Sequence, residues 1–169
     1  MRKLTTIAVL GAAAALLTAG PASASTHAAP KATGNIVQVA SGAPQFSTLV
    51  SLIKKAGLVK TLSGKGPFTV MAPTNAAFAK VPKATLDAIA ADKATLTKVL
   101  TYHVIAGKVP AAKVVTLDGK TAKTVEGSTI AISVKGGKVY LNGTTQVTKT
   151  DIPASNGVIH QINGVLLPP

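Results

Sequence analysis

The stretch from Phe68 to Phe78, FTVMAPTNAAF, constrains the fold of this 169-residue chain more than any other segment. Its first four residues, Phe68–Met71, are apolar or β-branched and predict a short strand. Ala72-Pro73 is expected to stop that strand, because proline has no backbone N–H and holds the preceding residue extended. Thr74 or Asn75 then offers a side-chain oxygen that can cap a following helix. The stretch therefore predicts a strand joined to a helix by a tight, capped turn.

The N-terminus has the three-part pattern of an export signal. Arg2 and Lys3 are positively charged, Ile7–Ala19 is an apolar run, and Ala22-Ser23-Ala24 is a small-x-small cleavage site. The run is shorter than the ~20 apolar residues of a membrane-spanning helix, which favours a cleaved signal over the alternative of an uncleaved anchor. We therefore expect residues 1–24 to be a signal peptide, residues 25–34 a flexible spacer, and the mature protein to be secreted without a transmembrane anchor.

The charge of the chain limits its possible partners. It has 18 Lys and Arg residues against five Asp and Glu, and only two of the 18 lie in the export signal. The excess does not predict specific nucleic-acid binding, because the mature part has no arginine and only five scattered aromatic residues. It predicts a solvated basic surface, with weak, salt-sensitive attraction to anionic polymers or membranes as the functional alternative.

The first half of the remaining chain, residues 35–169, has mostly helical spacing. After a short apolar opening at Ile36–Ala40, a helix is predicted to end at Gly57 and to bury Phe46, Leu49, Val50, Ile53 and Ala56. Pro82 can begin another helix, with Leu86 and Ile89 facing inward. Asp92 is expected to cap a further helix, whose buried stripe is Leu96, Val99 and Leu100.

The second half has the alternation and turn residues of strands. Gly136-Gly137 predicts a tight hairpin, and Asn142-Gly143 and Asn163-Gly164 predict further turns. The predicted strands are Tyr102–Ile105, Thr129–Val134, Thr144–Thr148, Gly157–Ile162 and Val165–Leu167. Helices that come first and strands that come later, with one early strand at Phe68, predict a single α+β domain whose sheet mixes both halves. Its length is sufficient for a core without disulfides, and the chain has no cysteine.

No segment has the pattern of a catalytic, metal or cofactor site. The serines lack a Gly-x-Ser-x-Gly elbow, and the five acidic residues offer no paired carboxylates. The sequence has no His-x-x-x-His pair, calcium loop or phosphate-binding loop. His103 and His160 lie in apolar runs, where a histidine is more often a hydrogen-bonded core residue than a catalyst. We therefore expect a non-enzymatic protein without cofactor or metal, and a hydrolase that uses these histidines is the enzymatic alternative.

Four segments resemble, in order and spacing, the motifs of the fasciclin domain. They are FTVMAPTNAAF at 68–78, TYHVIAG at 101–107, TKTDI at 148–152 and NGVIHQINGVLLP at 156–168. Residues 35–169 are thus similar to a single fasciclin domain, in a chain of bacterial character. The resemblance implies a wedge-shaped, two-sheet β arrangement with several helices packed from the N-terminal half. It also implies a non-enzymatic role in adhesion, through protein–protein or cell-surface and matrix contacts.

The resemblance further implies candidate contact residues. In animal members of the family, the Tyr-His and Asp-Ile segments have been proposed as integrin contacts. The corresponding residues here are Tyr102, His103, Asp151 and Ile152. The expected partner is an extracellular protein or surface polymer. The alternative function is that of a basic envelope protein, which binds polysaccharide, teichoic acid-like polymer or membrane surfaces through dispersed lysines.

Each motif residue also has a structural interpretation. Thr74 and Asn75 can build the strand-to-helix turn, and Asn156 can form a turn with the glycine that follows it. His103 and His160 can satisfy hydrogen bonds within the core. Asp151 can accept hydrogen bonds from backbone N–H groups in a turn. For these residues the structural interpretation is favoured over a direct contact.

Overall fold

The computed structural model describes residues 34–169, so the predicted signal peptide and nearly all of the predicted spacer lie outside the described residues. The helices are α1 Ile36–Ser41, α2 Ser47–Ala56, α3 Val59–Ser63, α4 Asn75–Ala79, α5 Lys83–Ala91, α6 Lys93–Tyr102 and α7 Ala111–Thr116, with a 3₁₀ turn at Pro44–Phe46. The strands are β1 Phe68–Pro73, β2 Val104–Ala106, β3 Thr121–Lys123, β4 Thr129–Lys135, β5 Lys138–Leu141, β6 Thr145–Ala154 and β7 Gly157–Ile162. The predicted α+β class is confirmed. Within residues 34–169, no helix has the length and apolar character needed to cross a membrane.

The strands form one sheet in the order β2-β1-β7-β6-β5-β4-β3. The neighbouring strands β1 and β7 are parallel, and every other neighbouring pair is antiparallel. The two sheets of the expected wedge appear as two halves that share β6, whose register shifts between Val147 and Ile152. A single antiparallel bridge between Ile105 and Thr124 brings the two ends of the order together, so that the sheet is nearly closed.

The sheet separates two hydrophobic clusters. The first lies between the sheet and helices α1, α2 and α6, and the second lies inside the nearly closed sheet. Successive residues of β1 face opposite sides, so Val70 belongs to the first cluster and Met71 to the second. In β7, Ile159 and Ile162 divide between the two clusters in the same way. Strands β1 and β7 therefore separate the two hydrophobic clusters.

Several local predictions are confirmed. Gly57 ends α2 in the left-handed conformation, with φ of 75°, and Asp92 caps α6 through bonds to two backbone N–H groups. The predicted inward residues of α2 and α6 are buried. Gly136-Gly137 joins β4 to β5, and both of its residues have the positive φ that a tight hairpin turn requires. The predicted strand Gly157–Ile162 is observed with those bounds.

The first strand runs through Ala72-Pro73 instead of stopping before it. Met71 donates its N–H to the His103 carbonyl on the β2 side of the strand. Two residues later, the missing N–H of Pro73 falls on the same side, where the chain already belongs to α6. The pairing of β1 with β2 does not extend to this position, so the missing N–H of Pro73 removes no bond between strands. The strand therefore continues beside β7.

Two strand predictions are wrong. Tyr102 is the last residue of α6 rather than the start of a strand, because its buried ring continues the apolar stripe and the next N–H, of His103, still bonds helix carbonyls. Val165–Leu167 forms no strand, because the N–H of Leu166 donates to the His103 ring at 2.9 Å. The strand expected at 144–148 is observed as the longer β6.

Candidate functional site

The structure buries both residues of the Tyr-His segment. Tyr102 and His103 are each 2 % exposed. The Tyr102 hydroxyl donates to the Thr129 carbonyl at 3.2 Å and accepts from the Asn142 side-chain amide at 3.0 Å. Since both side chains are enclosed, neither presents a surface to a partner. Their burial agrees with the structural interpretation, in which they are core residues.

Two main-chain groups hold the ring of His103. Its Nδ1 lies 2.7 Å from the Val99 carbonyl oxygen, and its Nε2 accepts the Leu166 N–H at 2.9 Å. The carbonyl can only accept, so the main chain assigns the proton to Nδ1 and leaves the ring neutral. Burial lowers the pKa of His103 to about 4, although the bond to Val99 opposes the shift.

The ring of His160 is held in the opposite tautomer. Its Nε2 lies 2.7 Å from the Val109 carbonyl oxygen, while its Nδ1 accepts the Asp151 N–H at 3.3 Å. Burial lowers the pKa of His160 too, against the opposing effects of the Val109 carbonyl and the Asp151 charge. Both nitrogens of each histidine are engaged by the main chain, so neither ring has a nitrogen free to act as a general base. The hydrolase alternative thereby loses its best candidates.

The part of the chain that the structure describes contains no group of three or more His, Cys, Asp or Glu residues placed to hold a metal ion.

The Asp-Ile segment lies at the surface, whereas the Tyr-His segment is buried. Asp151 is exposed, and Ile152 is half-buried against the helix-side cluster. The Oδ1 of Asp151 accepts the N–H of Ala111, the first residue of α7, at 2.9 Å. The Asp151 backbone has φ of 56°, a left-handed conformation that Asp and Asn tolerate better than most residues. The second carboxylate oxygen makes no hydrogen bond to the described residues.

Thr74 and Asn75 build the turn, as the structural interpretation expects. Thr74 caps α4 by accepting the Ala77 N–H on its hydroxyl at 3.2 Å. Asn75 reaches back to α2, where its Oδ1 accepts the Thr48 N–H at 3.1 Å and its Nδ2 donates to the Pro44 carbonyl at 3.0 Å. The residue before α2 supplies no side-chain cap. The side chain of Asn75, which is distant in sequence, instead accepts the hydrogen bond of the Thr48 N–H in the first turn of α2.

Replacing Thr74 by alanine is expected to lower the free energy of unfolding by about 1 kcal/mol, because the Ala77 N–H loses its side-chain acceptor. Urea unfolding followed by circular dichroism measures this change. Thr144→Ala is the control, since Thr144 is exposed in a turn and its hydroxyl makes no bond within the described residues. Equal effects of the two substitutions would contradict the capping role.

Asn156 does more than form a turn. Its Nδ2 donates to the carbonyls of Leu62 at 2.7 Å and Gly64 at 2.9 Å, and its Oδ1 accepts the N–H of Ile36 at 2.9 Å. The side chain thus ties the β6–β7 hairpin to the end of α3 and to the start of α1. These partners lie 92 to 120 residues away in sequence, so no local pattern could have identified them.

A polar cleft of about 460 Å³ lies beside Asn156. One wall is the loop 63–67, another is the hairpin 154–157, and Lys108 completes the lining. The loop 63–67 has the glycine and proline residues of a turn, which by themselves indicate no binding site. No spacing signal connects this loop with Lys108, because the antiparallel pairing of β1 and β2 brings them together. We refer to it as the Lys65–Lys108 cleft.

Comparison with known proteins places the chain in a family. The family model described as Fasciclin domain matches residues 44–168. Protein sll1483 of Synechocystis sp. is 47 % identical over 146 residues, which cover 85 % of this chain and 79 % of that protein. The immunogenic protein MPB70 of Mycobacterium bovis is 34 % identical over 139 residues, which cover 79 % of this chain and 69 % of that protein.

The fold has a counterpart among solved structures. It is the FAS1 domain pair from the insect cell adhesion molecule fasciclin I, with a TM-score of 0.66 and 18 % identity. The match covers 81 % of this chain and 52 % of that one, so this chain spans about half the length of the pair. The family model and the bacterial relatives agree with the motifs and with the observed fold. The chain belongs to the fasciclin domain family.

Proposed function

We propose that this protein is an exported, non-enzymatic adhesion or interaction module. Fasciclin domains are generally non-catalytic binding modules, and the solved counterpart belongs to a cell adhesion molecule. The signal peptide predicted at residues 1–24 would direct the protein out of the cell. Its partner would be an extracellular protein or a component of the cell surface or matrix. The observation that carries the proposal is the exposed and fixed carboxylate of Asp151.

The geometry of Asp151 suits a contact with a basic group. One carboxylate oxygen is anchored to Ala111, so the side chain would lose little conformational freedom when a partner binds. The other oxygen remains available for a charge-assisted hydrogen bond. Because the chain has only five acidic residues, a fixed carboxylate would supply orientation and specificity that the lysine excess does not.

Apolar side chains near Asp151 supply contact area. Ile152 is half-buried next to it, and Val115 is 48 % exposed on α7. Val115 lies one helical turn after Ala111, the residue that binds the Asp151 carboxylate, and so on the same side of α7. We call Asp151, Ile152 and Val115 the Asp151 surface. A charged group beside exposed apolar residues provides both the polar and the apolar parts of an interface.

The substitution Asp151→Asn tests this proposal. The amide keeps an oxygen acceptor for the Ala111 N–H and tolerates the left-handed backbone, so the fold should be retained. We expect binding of the purified exported protein to surfaces of the producing cells to weaken about tenfold, because one charge-assisted bond is lost. Flow cytometry with the labelled protein gives the affinity.

Asp118→Asn is the matched control. Asp118 is also exposed and also accepts a backbone N–H, that of Val134, at 2.7 Å, and the substitution changes the net charge equally. Binding by this variant should equal that of the wild type. The proposal fails if Asp151→Asn binds like the wild type, or if both variants weaken by the same factor.

A second candidate function is charge-driven binding to anionic polysaccharide, teichoic acid-like polymer or membrane surfaces through dispersed lysines. The 16 basic residues that follow the predicted signal peptide, against five acidic ones, favour it. Such binding would fall steeply between ~50 mM and ~300 mM salt and would not weaken in Asp151→Asn, since loss of an acid raises the attraction. The same binding assay at two salt concentrations therefore separates the two functions.

A further inference from the structure

We propose that the Lys65–Lys108 cleft is a binding site for an acidic saccharide, with the oxyanion group of the sugar held by the two lysines. This inference goes beyond the adhesive role, because the cleft shares no residue with the Asp151 surface. It also differs from binding through dispersed lysines, since it assigns recognition to one place in the fold.

The walls of the cleft are fixed before any ligand arrives. The side chain of Asn156 makes three hydrogen bonds that connect the hairpin to α1 and to the end of α3. The backbones of the two walls also touch, because a Cβ built at Gly66 would lie 1.9 Å from the Asn156 carbonyl oxygen. A cleft whose shape is already set spends little binding free energy on ordering itself.

The lining favours an anion. Lys65 and Lys108 both line the cleft, and none of its lining residues is acidic. The backbone N–H groups of Lys65 and Gly66 make no hydrogen bond to the described residues. Ammonium groups together with unpaired backbone N–H groups are the donors that bind oxyanions in proteins. The lining thus carries two positive charges and no negative charge.

Size and hydroxyl content favour a sugar over a bare ion. A volume of about 460 Å³ is within the range of about 300–1,000 Å³ typical of small-molecule sites. Ser63 and Ser155 are among the lining residues, and no hydrogen bond of their hydroxyls is found within the described residues. A serine hydroxyl donates and accepts, as sugar hydroxyls do. The same cleft therefore offers partners for a charged substituent and for ring hydroxyls.

NMR titration of the ¹⁵N-labelled mature protein at constant ionic strength tests the assignment. The three probes are a sulfated uronate disaccharide, inorganic sulfate, and an uncharged disaccharide. We expect the acidic disaccharide to shift the resonances of residues 63–67, 108 and 154–157, and to bind about tenfold more tightly than either other probe. Equal binding of inorganic sulfate would overturn the saccharide assignment, and shifts spread over all the lysines would overturn the site.

Paired lysine variants separate the cleft from general charge. Lys65→Gln with Lys108→Gln should weaken binding of the acidic disaccharide about tenfold. Lys83→Gln with Lys120→Gln is the control, because both of these lysines are exposed outside the cleft and the net charge falls equally. Equal loss in the two pairs, or no loss in the first, would overturn the proposal. Neither result would bear on the Asp151 surface, which the variants leave intact.

Discussion

Replacing Gly157 by alanine is expected to destabilise the domain by at least about 3 kcal/mol. A Cβ at this position would lie 1.9 Å from the carbonyl oxygen of Phe68 and 3.0 Å from Cδ1 of Ile36. The carbonyl belongs to the backbone of β1, which is paired in register with β7 at this point. A backbone oxygen cannot rotate away as the end of a side chain can. The substitution must therefore move β1 away from β7.

Urea unfolding of Gly157→Ala beside Gly42→Ala tests this expectation. Gly42 follows α1 with φ of −76°, and the nearest atoms to a Cβ there are 3.6 Å away. Alanine fits that position, and the lower entropy of the unfolded chain should leave Gly42→Ala within about 1 kcal/mol of the wild type or more stable. A Gly157→Ala protein equally close to the wild type would contradict the close strand packing. Failure of Gly157→Ala to fold would be consistent with it.

Acidification from pH 7 to pH 4 is expected to cost about 3 kcal/mol of stability through His103. The pKa of this side chain falls from 6.5 to about 4 on folding, because burial disfavours the imidazolium. Between these two values the unfolded chain binds a proton that the folded chain rejects. The contribution is therefore fully present above pH 6.5 and is lost as the pH falls to 4. Protonation would also remove the acceptor for the Leu166 N–H.

Urea midpoints measured from pH 7 to pH 4, together with NMR titration of the His103 ring, check this expectation. The ring should remain neutral in the folded protein until about pH 4. His160 acts in the same direction, since burial lowers its pKa as well. A midpoint that does not change between pH 6.5 and pH 4.5, or a folded ring that titrates near pH 6.5, would contradict it.

The two carboxylates with lowered pKa values, Asp92 and Glu126, do not explain a loss of stability above about pH 4.5. Side-chain hydrogen bonds from Thr95 and Ser128 lower the pKa values of Asp92 and Glu126, whose ordinary values are 3.8 and 4.5. Their contributions are therefore lost only below about pH 4.5. The variant His103→Gln should flatten the dependence above that pH, although it also lowers stability at pH 7 by disturbing the core.

Local chemistry was sufficient to predict several helix ends and turns. Gly57 ends α2, Asp92 begins α6 and Gly136-Gly137 turns β4 into β5, because each residue type acts on the backbone within a few positions. The α+β class followed from the order of these elements. The motifs likewise identified the family, since they are contiguous in sequence.

Features that depend on distant contacts could not be predicted. The apolar run Val165–Leu167 has the composition of a strand. Its Leu166 N–H donates to the ring of His103, however, and so is not available to pair with a neighbouring strand. Asn156 was recognised only as a turn residue, because its three partners come from α1 and the end of α3. Tyr102 was proposed as a contact although it is buried, since its burial depends on strands that follow it in the chain.

The position of β7 has a consequence for the order in which the domain can fold. Strand β7 follows the other six described strands in sequence, yet it lies inside the sheet, between β1 and β6, and carries side chains into both hydrophobic clusters. A chain without β7 can complete neither cluster. Because the parallel pairing joins segments about 90 residues apart, neither β1 nor the helices that pack on it can complete their contacts before β7 is available. The domain is therefore expected to fold as one unit rather than from its N-terminal half onward.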